Sequence, residues 1–333
     1  MRLNRLGVLP LHKVMPVASI DIGTNTILLL IAEWDGTSIR VLRDEARIAR
    51  LGEGLHQEPF FTSAAQKRAL NVLKDYRALA DRLGAQPIWA VGTAACRKAK
   101  NAPEFVARVL KETGIAIQII SGEEEARLSF LCVEKDFGHW GNVVALDIGG
   151  GSTEIISKEG GVSFNLGTVI LTESIVKHDP PTEKETERIK NEIDRSLTGW
   201  VVREEVSGGG HCTPTKLFRS DRSQPVHLVG LAGSVTTLSA IKQKLTVWDG
   251  TKVQGSVLTS KDIDVMMALF QKTTNEEKQK IPGMVAGRED TLLAGTLILQ
   301  AVMKKLGTDR VIVSDRGLRF GLLYDRAGTT AVE

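Results

Sequence analysis

Residues 143–157 bring an acid, two hydroxyls and a second acid around three glycines. They read Val143, Val144, Ala145, Leu146, Asp147, Ile148, Gly149, Gly150, Gly151, Ser152, Thr153, Glu154, Ile155, Ile156, Ser157. An apolar run, a glycine run and a second apolar run predict strand, tight turn, strand. A turn without side chains lets backbone N–H groups close on an anion, phosphate above all. A carboxylate at the strand end beside it suits a cation or a water. A single glycine turn of this kind is as easily structural. This chain writes it twice. Residues 17–31 carry Asp21, Ile22, Gly23, Thr24, Asn25 and Thr26 between apolar runs, with a hydroxyl five places after each Asp (26 − 21; 152 − 147). The copies lie 126 residues apart (147 − 21), about one domain of chain. Two related halves holding a polyphosphate between their turns is the expectation.

On that expectation Gly23, Thr24, Asn25 and Thr26, with Gly149, Gly150, Gly151, Ser152 and Thr153, form the phosphate cradle. Asp21 and Asp147 hold Mg²⁺ directly or through water, the plain alternative being turn-capping aspartates. Glu154 opens a strand, where Glu is disfavoured, and is expected to assist the metal or the water. Arg97 follows the strand end at Gly92-Thr93 and is expected to clamp phosphate, the alternative being a solvated arginine. A third small-residue turn, 230–234, ends a strand and opens a helix, so Gly233 and Ser234 are expected at the far end of the substrate. Arg288, Arg316 and Arg319 stay open between a basic track and structural pairs.

The elements that must position these residues follow from periodicity and breakers. In the first half strands are expected at 27–32, 38–42, 88–91 and 115–120, and helices at 64–83 and 103–112. The segment 51–59, with Gly52, Gly54 and Pro59, is expected to be loop. Ser121 with Glu124 is a capping box opening a helix to 133, with a boundary loop at 136–141. In the second half strands are expected at 143–146, 154–157, 162–166, 226–231 and 311–313. Helices are expected at 171–177, 183–203, 235–244, 262–270, 275–280, 288–306 and 317–324, and 207–224 as an exposed loop containing His211-Cys212. This alternation is an α/β class. The division expected is 16–138 and 139–333, with the last helix packing back on the first domain.

The 333 residues are 42% hydrophobic and 25% charged, which is globular composition and about two domains' length. A net charge of +3 gives no electrostatic case for nucleic acid. Cys96, Cys132 and Cys212 have no paired spacing, which suits a reducing cytoplasm and argues against zinc. No apolar run approaches the roughly 20 residues of a membrane span. Residues 1–14 make a poor signal peptide and read as an extension, with Met15 an alternative start.

The Asp-x-Gly hairpins and the glycine turn before a helix resemble the actin, sugar-kinase and chaperone-ATPase superfamily. More narrowly, 17–325 resembles the exopolyphosphatase and guanosine pentaphosphate phosphohydrolase family. The residues that carry this are DIGTNT at 21–26, LGEGL at 51–55, GTAACRKAKN at 92–101, IISGEEEARL at 119–128, DIGGGSTE at 147–154, GLAGSVTTL at 230–238, GREDTLLAG at 287–295 and SDRGLRFGLL at 314–323. The resemblance implies two duplicated actin-like (ribonuclease H-like) domains, each a mixed sheet flanked by helices, with a cleft between. It implies release of the terminal phosphate from inorganic polyphosphate or guanosine pentaphosphate, and a homodimer. It makes Glu125 the catalytic carboxylate, orienting and deprotonating water. Glu123 and Glu124 then serve the helix dipole and the cap. Leu166-Gly167 leads to Thr168-Val169-Ile170 where the family commonly has an Arg, and Arg319-Phe320-Gly321 stands where it has Arg-Glu-Gly. An ATP-dependent kinase of the same superfold and a non-catalytic polyphosphate or alarmone sensor remain the alternatives.

Overall fold

A computed structural model of the chain describes residues 15–198, 200–203, 217–219 and 225–330. Residues 1–14, His211-Cys212 and most of the loop expected at 207–224 lie outside the described residues. The first half is built of β1 (Val17–Ile22), β2 (Thr26–Trp34), β3 (Ile39–Ile48), α1 (Ser63–Arg82), β4 (Ile88–Gly92), α2 (Ala94–Lys98), α3 (Ala102–Thr113), β5 (Ile117–Ile119) and α4 (Gly122–Phe137). A 3-10 turn, Gly138–Trp140, joins it to β6 (Val143–Ile148), β7 (Thr153–Ser157), β8 (Gly160–Phe164), α5 (Thr168–Ile175), α6 (Glu183–Leu197), β9 (Val201–Arg203), β10 (Leu217–Arg219), β11 (His227–Leu231) and α7 (Ala232–Lys242). Then come α8 (Gly250–Val253), β12 (Val257–Thr259), α9 (Ser260–Phe270), α10 (Asn275–Gln279), α11 (Leu292–Leu306), β13 (Arg310–Val313) and α12 (Leu318–Thr330).

Two open mixed sheets result. The first runs β3-β2-β1-β4-β5 and the second β12-β13-β11-β6-β7-β8. Read from β8, the second repeats the first: an antiparallel three-strand meander, then parallel neighbours, with β12 added at the far edge. The expected fold class stands. Asp21 and Asp147 occupy the same place, the penultimate residue of the central strand β1 or β6.

Several boundaries move, each for a local reason. β3 runs on to Ile48 although 43–47 is mostly charged, because it is an edge strand and Asp44 there receives Arg319. The segment 136–141 is helix and 3-10 turn, not loop, as Asp136 is held by Arg316 and Gln254. The helix expected to reach 203 stops at Leu197, where Trp200 folds into the core beside Phe164 and Lys305 Nζ binds the carbonyls of Leu197 and Trp200. Residues 201–203 are strand. α11 begins at Leu292, which leaves Arg288 in the turn before it.

The closing helices trade sheets. α4 lies on β6, β7 and β8, while α12 lies on β1 and β2 and against α4. Ser19 Oγ of β1 donates to the Arg319 carbonyl at 2.6 Å, and the Arg319 guanidinium makes a two-pronged pair with Asp44 at 2.7 and 2.8 Å. Gly321 lets the helices touch, since a Cβ there would stand 1.8 Å from the Leu128 carbonyl oxygen. Gly321→Ala is therefore expected to destabilise by about 1–3 kcal/mol, the cost of forced overpacking, despite Ala's better helix propensity. An unchanged denaturant midpoint would contradict this packing.

Candidate active site

The two bends close in the same way. Gly23 N–H donates to the Thr26 carbonyl at 3.0 Å, and Gly149 N–H to the Ser152 carbonyl at 2.9 Å. Their carbonyls are taken up from behind. Thr24 O receives Gly52 N (2.8 Å) and Asn25 O receives Ala49 N and Arg50 N (3.0 and 2.9 Å). Gly149 O and Gly150 O receive Thr168 N and Val169 N, both at 3.0 Å. The N–H groups of Thr24, Asn25, Gly150 and Gly151 are left without a partner among the described residues. Turned carbonyls and free N–H groups make an anion-binding concavity.

The bends meet. A Cβ on Gly151 would stand 2.6 Å from Thr24 Oγ1, and one on Gly150 would stand 3.2 Å from Thr24 Cβ. Gly167 backs the second bend so closely that its Cβ would fall 2.2 Å from the Gly150 carbonyl oxygen. Glu173 of α5 ties the supports of both bends together, accepting from Gly54 N–H at 3.2 Å and meeting His56 Nδ1 at 2.8 Å. Arg50 adds a pair to Asp290 at 2.9 Å.

Four carboxyls gather at this junction. Asp147 and Glu154 face each other in register on β6 and β7. Glu125, in the first turn of α4, is near enough to both and to Asp21 for mutual repulsion. Burial first, then Glu125, pushes Asp147 up to about 7, against a bond from Ser129 Oγ at 3.2 Å. Burial, then Glu125 and Asp147, holds Asp21 well above the usual range. The same three causes raise Glu154, which accepts from Ser163 Oγ at 2.6 Å and from Ser152. Burial raises Glu125 too, opposed by Arg97. Asp21 Oδ1 is sealed from solvent with no hydrogen-bond partner.

An orphaned carboxylate oxygen among mutually repelling acids is what a hard divalent cation relieves, and the donor set is all oxygen. Among the described residues no group of three or more His, Cys, Asp or Glu could hold a metal. Mg²⁺ needs only one or two carboxylates, completed by water and phosphate oxygens, so Asp21 and Asp147 fit it. A titration follows. Between 3.8 and about 7, folded Asp147 keeps a proton the unfolded chain has lost, so its contribution to stability falls as pH rises through that window. Asp21 and Glu154 act with the same sign. Mg²⁺ is expected to raise Tm more at about pH 8 than at about pH 5, because it needs the ionised forms. No Mg²⁺-dependent rise at either pH would remove these aspartates as cation holders.

The cations divide into committed and uncommitted. Arg97 Nη1 donates to Glu125 Oε2 at 2.7 Å and to the Ile120 carbonyl at 3.1 Å, so it braces Glu125. Lys98 Nζ donates to the Gly151 carbonyl at 2.7 Å. Arg316 and Arg319 make structural pairs with Asp136 and Asp44. Arg288 has no carboxylate partner among the described residues. Its Nη2 stands 3.5 Å from Thr26 Oγ1, its Nε is sealed and unpartnered, and burial pushes it down to about 10. The guanidinium lies where a Gly233 side chain would be, its Nη1 1.0 Å from the ideal Cβ position. It therefore lies between the first bend and the start of α7.

Some expected donors are spent elsewhere. The N–H groups of Gly23 and Gly149 close their own bends. Thr153 Oγ1 donates to the Leu166 carbonyl, and the Ser152 hydroxyl serves Glu154. Ser234 is buried against Gly295 of α11, its Oγ 2.5 Å from where a Gly295 Cβ would stand. Lys98 was not anticipated, and neither was the short helix that carries it. Its one sequence signal is a second basic residue beside Arg97.

A paired-sheet fold with acids and free N–H groups at the meeting of two Asp-x-Gly bends defines a phosphate-handling protein of the actin-like class. The model of the Ppx/GppA phosphatase family matches residues 30–330, and the chain belongs to that family. It is 33% identical over 327 residues to a bifunctional 3-dehydroquinate synthase/phosphatase of Fusobacterium nucleatum, covering 92% of this chain and 46% of that one. The chain thus spans under half of that relative's length. It is 32% identical to exopolyphosphatase 2 of Mycobacterium tuberculosis, covering 94% of this chain and 98% of the relative. The crystal structure of the Aquifex aeolicus Ppx/GppA family member superposes with a TM-score of 0.76 at 32% identity, covering 96% of this chain and all of that one. Among the described residues no helix is long and apolar enough to cross a membrane.

Proposed function

We propose that the chain is a phosphohydrolase that releases the terminal phosphate of inorganic polyphosphate by attack of a water oriented by Glu125. One observation carries the reading: Glu125 lies within electrostatic reach of Asp21 and Asp147, beside the place where two bends with free N–H groups abut. The relative named exopolyphosphatase 2, similar over nearly its whole length, favours the same substrate. Arg97 occupies Glu125 Oε2, which leaves Oε1 to take the proton as water attacks. Thr24, Asn25, Gly150 and Gly151 N–H groups hold the non-bridging oxygens, and Arg288 takes those further along the chain. Bound Mg²⁺, held by Asp21 and Asp147, would offset negative charge on the phosphates. Glu154, held by Ser152 and Ser163, stands opposite Asp147 on the neighbouring strand.

Guanosine pentaphosphate is a second substrate of the same chemistry. A cavity of ≈ 370 Å³, lined by Thr172, Val176, Lys177, His178 and Asn275 among others, shares Thr172 and Asp290 with a smaller one reaching Thr24 and Asn25. That volume is room for a nucleoside beyond the phosphates. The test is phosphate release from both substrates side by side with Mg²⁺, and ADP formation from ATP with candidate acceptors. Phosphate release without acceptor supports hydrolysis. ADP formation only with an acceptor favours a kinase, and tight binding without turnover favours a sensor.

A further inference from the structure

We propose that Lys98 is a phosphate-binding residue, delivering a second cation, an ammonium, to the oxygens of the phosphate that is released. This rests on the phosphate-cleaving reading of the site and adds to it a group carried by the other half of the chain from Arg288. Four observations lead there.

First, Lys98 crosses between the halves. It sits at the end of α2, in the first half, and its Nζ reaches the Gly151 carbonyl of the second bend at 2.7 Å. Second, that carbonyl is the only acceptor it has among the described residues. An ammonium carries three donors, so two point elsewhere. Third, its neighbour cannot do the work. Arg97 is fixed by Glu125 and the Ile120 carbonyl, which leaves the second bend without a free arginine. Fourth, the approach is built by packing. Ala94, at the start of α2, lies 3.2 Å from where a Gly151 Cβ would be, so α2 is seated directly on the bend.

The electrostatics agree. Burial and then Arg97 lower the Lys98 pKa, while Glu154 and Glu125 raise it, which places the ammonium in the field of the site carboxylates. A cation held among acids by one neutral carbonyl gains from a phosphate with full negative charge, because a charge-assisted bond replaces or joins a neutral-acceptor one. The lysine is compact and can turn on its stem, whereas an arginine at this point would be the more rigid choice.

The experiment titrates inorganic phosphate, with Mg²⁺, into wild type, Lys98→Met and Lys98→Arg by calorimetry, alongside Tm and the kcat and KM for polyphosphate. Lys98→Met is expected to weaken phosphate and raise KM by roughly tenfold, the worth of one charge-assisted hydrogen bond. Its kcat and Tm stay near wild type, and Lys98→Arg restores phosphate affinity to within about threefold. Phosphate binding by Lys98→Met equal to wild type overturns the assignment. So does an equal loss in both variants accompanied by a drop in Tm, which would make Lys98 a staple for Gly151. A wild type that binds phosphate but cleaves no polyphosphate defeats the activity reading instead, and the titrations still decide Lys98.

Discussion

Glu125→Gln lowers kcat for phosphate release by about 10²–10⁴ and leaves KM within a few-fold. Gln keeps the length and the hydrogen bond to Arg97 but cannot take a proton from water. The Glu125 side chain is 13% exposed, enough to meet one water and too little to be solvated freely. The same substitution has a second consequence that does not depend on turnover. Glu125 is the largest charged neighbour raising Asp21, Asp147 and Glu154. Removing its charge lowers all three, so the loss of stability with rising pH becomes shallower. Steady-state kinetics and a pH series of melting curves measure both. Turnover near wild type would take the proton-accepting role from Glu125, and an unchanged pH series would say the four carboxyls do not interact.

Arg288→Met raises KM for polyphosphate by about 10- to 100-fold, since arginine gives charge-assisted and often two-pronged bonds to phosphate. It does so without lowering Tm. A guanidinium whose Nε is sealed and unpartnered contributes little to the fold, and methionine fills the same space without a charge to desolvate. Its pKa, pushed down to about 10 by burial alone, reflects that cost. A structural arginine behaves the other way: Arg319→Met, which breaks the pair with Asp44 and leaves that carboxylate alone, lowers Tm. A fall in Tm for Arg319→Met and none for Arg288→Met distinguishes a cation kept for the fold from one kept for substrate. A fall in Tm with unchanged KM for Arg288→Met would refute its role.

The bends and their strands were legible because glycine turns and apolar runs are local signals. Asp21 and Asp147 were legible because the duplication put them in register. Glu125 was not legible from spacing, since three glutamates share one helix turn, and only the family resemblance separated them. The partners of Thr153, Ser152 and Ser234 were not legible either. Thr153 gives its hydroxyl to the Leu166 carbonyl and Ser152 to the Glu154 carboxylate, while Ser234 is packed tightly against Gly295 of α11. Arg288 meets Thr26 across 262 residues and Lys98 meets Gly151 across 53, so no window of sequence contains either pair. The charged stretch in β3 hid a strand for the same reason, its Asp44 answering Arg319 at the other end of the chain.

The most direct measurement is hydrolysis of polyphosphate in ¹⁸O-enriched water, with mass spectrometry of the products. A solvent molecule directed at the last phosphorus places one heavy oxygen in each phosphate released and none at the new chain end, and Glu125→Gln slows the appearance of labelled phosphate by about 10²–10⁴ without changing the label each phosphate carries. Heavy oxygen at the new chain end, or unlabelled phosphate from an active enzyme, would contradict it.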